Sequence, residues 1–234
     1  MGKGIFIIGT DTDVGKTFIT AGLTYKLKEN GHNVVAFKPI QSGGILGDDG
    51  KTLIPPDTKY IKDICNIEND HSEMNTYCLK EEVSPHLAAK MENIEISKEK
   101  IIEQYNELAN KYDYVIVEGA GGIVVPLIEN KYFVYDLIKD LNLDVVIVAR
   151  AGVGTINHTV LTNEFLKQNY IRAKGIIINQ YNDKFYEKDN IEMISKLTQL
   201  DILHKLKKVE EPTIENIRNE YKNLNLEKVL SLFN

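Results

Sequence analysis

Short β-branched runs alternate with longer amphipathic segments along this chain, and the first run leads straight into a glycine-rich loop. These observations predict an α/β fold: a doubly wound, mostly parallel sheet with helices on both faces. The runs are continuously apolar rather than alternating. That marks strands buried on both sides, as in a parallel sheet covered by helices.

Residues 4–9 (GIFIIG) read as the first buried strand. Residues 16–30 read as a helix, stopped by Gly31, since glycine accepts the left-handed backbone that ends helices. Further strands are expected at 33–37 (NVVAF), 114–117 (YVIV), 145–149 (VVIVA) and 175–178 (GIII). Helices are expected at 94–111, 155–168 and 187–200, and the tail at 213–233 reads as helical, with one edge of the sheet to cover. Residues 39–56 break the pattern with QSGG, GDDG and PP. A loop of that length in a compact domain is functional or mobile.

The chain has 234 residues, 43% of them hydrophobic, which suits one large α/β domain over residues 1–234. The net charge is −6 and there is no dense basic run, which argues against nucleic acid as a partner. No signal peptide is visible, and no apolar run approaches the ~20 residues of a membrane span. A soluble cytoplasmic protein with no membrane partner is the expectation. Cys65 and Cys78 form no CxxC pair and read as two reduced thiols. The five histidines, at 32, 71, 86, 158 and 204, show neither metal-ligand spacing nor a triad.

The chemistry concentrates in Gly9-Thr10-Asp11-Thr12-Asp13-Val14-Gly15-Lys16-Thr17, between a strand and a helix. That context is what a Walker A loop requires, so the fold is expected to be of the P-loop NTPase type. The glycines allow a tight turn whose N–H groups face phosphate oxygens, and the helix start adds partial positive charge. Lys16 would reach the β- and γ-phosphates, and the Thr17 hydroxyl would bind Mg²⁺. Five residues separate Gly9 from Gly15, one more than the usual spacing. A chance GKT at a turn is the plain alternative. The second motif is Val115-Ile116-Val117-Glu118-Gly119-Ala120-Gly121-Gly122, an apolar strand ending in a carboxylate. A carboxylate at the C-terminal edge of a parallel strand lies in the ligand crevice and can serve Mg²⁺. A surface glutamate at a strand end is the alternative there.

Together with Lys38-Pro39-Ile40-Gln41-Ser42-Gly43, Ser84-Pro85-His86, Pro126-Leu127 and Gly154-Thr155-Ile156-Asn157-His158-Thr159, these motifs resemble the dethiobiotin synthetase family in their order. The resemblance spans residue 4 to about residue 180. It implies an ATP- and Mg²⁺-dependent ligase acting on 7,8-diaminopelargonic acid and CO₂ or bicarbonate. A carbamate forms, takes the γ-phosphoryl group of ATP, and is closed to a cyclic urea by the second amine. The resemblance also implies catalytic roles for Lys38, Lys16 and Thr12. ATP would be held by Asp13, Val14, Gly15, Lys16, Thr17, Phe18, Asp57, Glu118, Gly119, Ala120 and Gly121, with Asn179 reading the base. Mg²⁺ would be held by Thr17, Asp57 and Glu118. Thr12, Ser42, Gly154, Thr155 and Asn157 would hold substrate, with the last three serving a neighbouring subunit, so a homodimer with active sites at its interface is expected. Asp13 stands where the family often has glutamate. The plain alternative for Asp57 is a helix N-cap after Pro55-Pro56, and for Asn157 a polar surface residue. Residues 202–206 (ILHKL) lack the proline expected on the base side, which leaves nucleotide preference open. The rival reading is a nucleotide-switch ATPase of the partitioning or metal-cluster-assembly type. Such proteins carry a lysine at the start of the loop, where this chain has Thr10-Asp11.

Overall fold

A computed structural model describes residues 1–234. The first half contains β1 (Lys3–Gly9), α1 (Lys16–Glu29), β2 (Val34–Gln41), β3 (Ile45–Leu46), β4 (Leu53–Ile54), α2 (Pro56–Cys65), α3 (His71–Met74), β5 (Asn75–Cys78), α4 (Pro85–Glu92) and α5 (Lys98–Lys111). The second half contains β6 (Tyr114–Gly122), β7 (Pro126–Ile128), β8 (Tyr132–Phe133), α6 (Val134–Leu141), β9 (Val145–Arg150), α7 (Thr155–Gln168), β10 (Ala173–Tyr181), α8 (Phe185–Thr198), β11 (Ile202–Lys207), α9 (Ile214–Lys222) and α10 (Leu226–Ser231).

Seven strands form one sheet in the order β11-β10-β9-β1-β6-β2-β5, every pairing parallel. Two small antiparallel hairpins, β3–β4 and β7–β8, stand outside it. The chain winds outward from β1 in one direction and then, through β6, in the other. Helices link the parallel strands and cover the sheet. α1 packs with α2, α9 and α10, while α5 packs with α6 and α7 with α8. Central strands are buried as their sequences predict: Ile5, Phe6, Ile7 and Ile8 are at most 1% exposed. No helix is long and apolar enough to cross a membrane. Cys65 and Cys78 are both free thiols.

Several boundaries move, each for a local reason. β2 runs on through Lys38 to Gln41, because β5 pairs with that extension. Residues 39–56 therefore hold a strand end and the β3–β4 hairpin rather than one open loop. The helix expected from residue 94 begins at Lys98, where the Ser97 hydroxyl accepts the Lys100 N–H at 3.2 Å. Asn93, at φ 54°, has already closed α4. Asp57 is not an N-cap: α2 starts at Pro56, and Asp57 lies inside its first turn. α8 runs from Phe185 to Thr198 rather than 187–200, stopped by Gln199 at φ 59°. The tail is two helices, broken where the Asn225 side chain caps α10. It covers the α1–α2 face and also meets the edge strand β11, where the Lys207 N–H donates to the Glu220 carboxylate at 2.8 Å; Tyr221 is wholly buried, its hydroxyl donating to the Phe18 carbonyl at 2.6 Å.

His204 sits on β11 with its Nε2 buried and unpartnered. Burial, then the nearby charges of Lys228 and Lys26, pull its pKa from 6.5 down to about 4. A histidine neutral in the fold must take up a proton on unfolding, so its contribution is lost as pH falls from 6.5 through about 4. Partial solvent screening leaves this at about 1–2 kcal/mol. His204→Leu should flatten that acid limb in thermal melts, whereas an unchanged limb would assign the loss to other groups.

Candidate active site

The C-terminal edge of the sheet gathers the charged residues. Ile7 pairs with Glu118 between β1 and β6, and Phe37 pairs with Val117 between β2 and β6. Lys38 and Glu118 are therefore neighbours on adjacent strands, beside the loop that leaves β1. Both lie within their strands rather than at the ends, because β2 and β6 each run past the expected boundary.

Lys38 is the hub. Its ammonium donates to Glu118 Oε1 at 2.7 Å and to the Gly119 carbonyl at 3.1 Å, and it contacts Asp57 Oδ2 at 2.8 Å. The Thr17 hydroxyl donates to the same Glu118 oxygen at 2.8 Å. Lys38 is 5% exposed and Glu118 only 1%, which excludes a solvated lysine and a surface glutamate. The other glutamate oxygen, Oε2, is buried without a partner. Burial opposes charge on Lys38, but Glu118 and Asp57 outweigh it and hold the ammonium well above its ordinary pKa. Burial pushes the Glu118 carboxyl up, against the pull of Lys38. Asp57 is lowered, since Lys38 outweighs the effect of its burial. Lys16 has no carboxylate contact, and burial followed by repulsion from Lys38 brings it down to about 8. Its ammonium donates to the Asp11 carbonyl at 3.2 Å.

The loop itself is built as an anion cradle. The N–H groups of residues 13–18 find no acceptor within the chain. Gly15, at φ 93°, caps α1 in left-handed backbone. A Cβ there would lie 1.9 Å from the Asn179 Nδ2, so only glycine fits. Asn179 is buried within β10, not after it, and its amide donates to the Val14 carbonyl at 3.0 Å. Phe18 follows in the first turn of α1, under Tyr221.

The expected substrate residues, apart from the buried Thr155, are more open. Thr12 is exposed, with its Oγ1 beside Gly121, while Ser42 lies just past β2. Gly154, at φ 90°, caps α7, Asn157 is exposed in its first turn, and the N–H groups of Ile156 and Asn157 have no acceptor in the chain. The Thr155 hydroxyl turns back to the Arg150 carbonyl. Sequence reasoning passed over Arg150. It closes the VVIVA run at the ligand edge of the sheet, and that position was the available signal. His86 faces the groove between α4 and the β7–β8 hairpin instead.

A parallel α/β sheet with a Gly-Lys-Thr cradle opening α1 defines a P-loop protein that uses a nucleoside triphosphate. The AAA domain family model matches residues 3–215. The chain is 48% identical over 214 residues to the ATP-dependent dethiobiotin synthetase BioD of Clostridium kluyveri, covering 90% of this chain and 88% of that one. It is 45% identical to that of Clostridium novyi, covering 87% and 86%, and 41% identical to that of Caldicellulosiruptor bescii, covering 95% and 92%. The chain belongs to the ATP-dependent dethiobiotin synthetase family, and with it to the ATP-dependent ligases. The family its motifs resemble is thus the family of its relatives. Among solved structures, a ParA family ATPase from Chlorobium tepidum aligns at TM-score 0.60 and 14% identity, over 99% of this chain and 93% of that one. The septum site-determining protein MinD of Pyrococcus horikoshii, complexed with Mg-ADP, aligns at TM-score 0.58 and 17% identity, over 99% and 94%. At such identities the likeness is one of fold alone.

Proposed function

We propose that residues 1–234 act as one domain that closes the cyclic urea of dethiobiotin on 7,8-diaminopelargonic acid, using CO₂ and ATP. The observation that carries the residue assignment is the joined set of buried Lys38 and Glu118 with half-buried Asp57 and Thr17, beside a cradle of unpaired N–H groups. One amine of the diamine adds CO₂ to give a carbamate. A carbamate oxygen attacks the γ-phosphorus and ADP departs. The second amine then attacks the acyl carbon, phosphate leaves, and the ring closes.

Carbamate and triphosphate are both anions, so the barrier is largely electrostatic. Phosphoryl transfer is chiefly a matter of positioning and charge neutralisation. The loop N–H groups from Asp13 to Phe18 and the Lys16 ammonium grip the phosphates. Lys38 supplies positive charge where carbamate and γ-phosphate meet. Thr12 and Ser42 orient the reacting end of the diamine. Gly119, Ala120 and Gly121 line the cleft at the end of β6, with no bulky side chain to hold the phosphates off. A hydroxyl, two carboxylates and an unpaired buried oxygen suit a hard cation that also binds phosphates. Mg²⁺ would be held by Thr17, Asp57 and Glu118 and would neutralise phosphate charge. The unpaired N–H groups of Ile156 and Asn157, behind Gly154 and Thr155, favour a carboxylate. They open toward solvent beside Val153, 93% exposed, which supports a homodimer in which this helix start serves the neighbour's substrate. The site of action is the cytoplasm.

The test is phosphate release from ATP with Mg²⁺ and bicarbonate, with and without 7,8-diaminopelargonic acid. Release that requires the diamine and yields a cyclic urea is the expected outcome. Slow hydrolysis indifferent to the diamine would favour a nucleotide switch.

A further inference from the structure

Arg150 and Asn179 are register partners at the ligand-side ends of β9 and β10. Their side chains reach to consecutive carbonyls of the phosphate loop. The Arg150 guanidinium donates to the Asp13 carbonyl, and the Asn179 amide donates to the Val14 carbonyl at 3.0 Å. A trans peptide points its C=O and the following N–H in opposite directions. Holding the Asp13 and Val14 carbonyls on the outside therefore turns the Val14 and Gly15 N–H groups inward, where they have no acceptor in the chain. Both turns need left-handed backbone, at Asp13 with φ 58° and Gly15 with φ 93°. For Asp13, which has a Cβ, that conformation is uphill and needs an outside restraint.

We propose that Arg150 and Asn179 form a two-point clamp that sets the phosphate cradle, so that Arg150 is a positioning residue for the triphosphate. The inference rests on the reading of this loop as the ATP site. Arg150 suits the task. It ends a buried strand, its carbonyl is held by the Thr155 hydroxyl, and it has no ion-pair partner to draw it away. Asn179 is 3% exposed and pressed against Gly15, so its amide is committed to the loop whether or not it also meets a base.

The experiment is calorimetric binding of inorganic tripolyphosphate and of ATP, each with Mg²⁺, to the wild type and to Arg150→Met, Arg150→Lys and Asn179→Ala. Losing a charge-assisted hydrogen bond should weaken both ligands by the same factor, about tenfold, in Arg150→Met. Arg150→Lys, which keeps a cationic donor, should recover part of it. In turnover, KM for ATP should rise while KM for the diamine stays put. Asn179→Ala should also weaken tripolyphosphate, which has no base to read. Tripolyphosphate bound as tightly by a folded Arg150→Met as by wild type would overturn the clamp. An Asn179→Ala that weakens ATP alone would overturn it at that arm, leaving the asparagine as a base reader. Failure of the wild type to bind tripolyphosphate or ATP would instead bring down the reading of the loop itself.

Discussion

Lys38→Met is expected to lower kcat by about a thousandfold and, without nucleotide, to destabilise the fold by about 3–5 kcal/mol. The two effects share one origin. Lys38 is the counter-charge for Glu118 and Asp57 at 2.7 and 2.8 Å, and Glu118 is 1% exposed. Removing it leaves a buried carboxylate with only the Thr17 hydroxyl for company. Protonation of Glu118, which burial already favours, will soften the loss. Mg²⁺ with ADP should raise the melting temperature of the variant more than that of wild type, because a dication can take over both carboxylates. Urea-ring formation and melts with and without Mg²⁺-ADP check both halves. An unaltered melt without nucleotide would mean that Lys38 is not the principal counter-charge.

Glu118→Gln should divide activity from stability. The amide keeps the shape and can still accept from Thr17 and Lys38, while Lys38 retains Asp57. No buried carboxylate then has to be desolvated, so the melting temperature should hold or rise. Turnover should nevertheless fall by about a hundredfold to a thousandfold, with half-saturation moving to higher Mg²⁺, because a neutral oxygen binds a hard dication weakly. An Mg²⁺ titration superimposing on that of wild type would remove Glu118 from the metal site.

The central strands were legible because burial on both faces demands continuous β-branched runs, and those of β1, β6, β9 and β10 are buried as read. The Gly-Lys-Thr loop was legible because its chemistry is local: a strand end, glycines and a helix start adjacent in the chain. β5 was not legible. NTYC carries no apolar run, and its strand character rests on long-range pairing with Lys38–Gln41 at the end of β2. Likewise α2 begins at Pro56, which turned Asp57 from a possible cap into a residue whose carboxylate reaches Lys38.

What the sequence determined by itself was the class of fold, the phosphate loop and the family, since each is written in patterns a few residues long. What only the tertiary structure decided was partnership. Nothing near residue 38 says that its ammonium will be buried against Glu118 and Asp57, and nothing near 150 says that its guanidinium will reach back to Asp13. Those contacts join positions 19 to 137 residues apart. They exist because parallel strands bring their C-terminal ends to one edge, and that edge has no address in the chain until the sheet has formed.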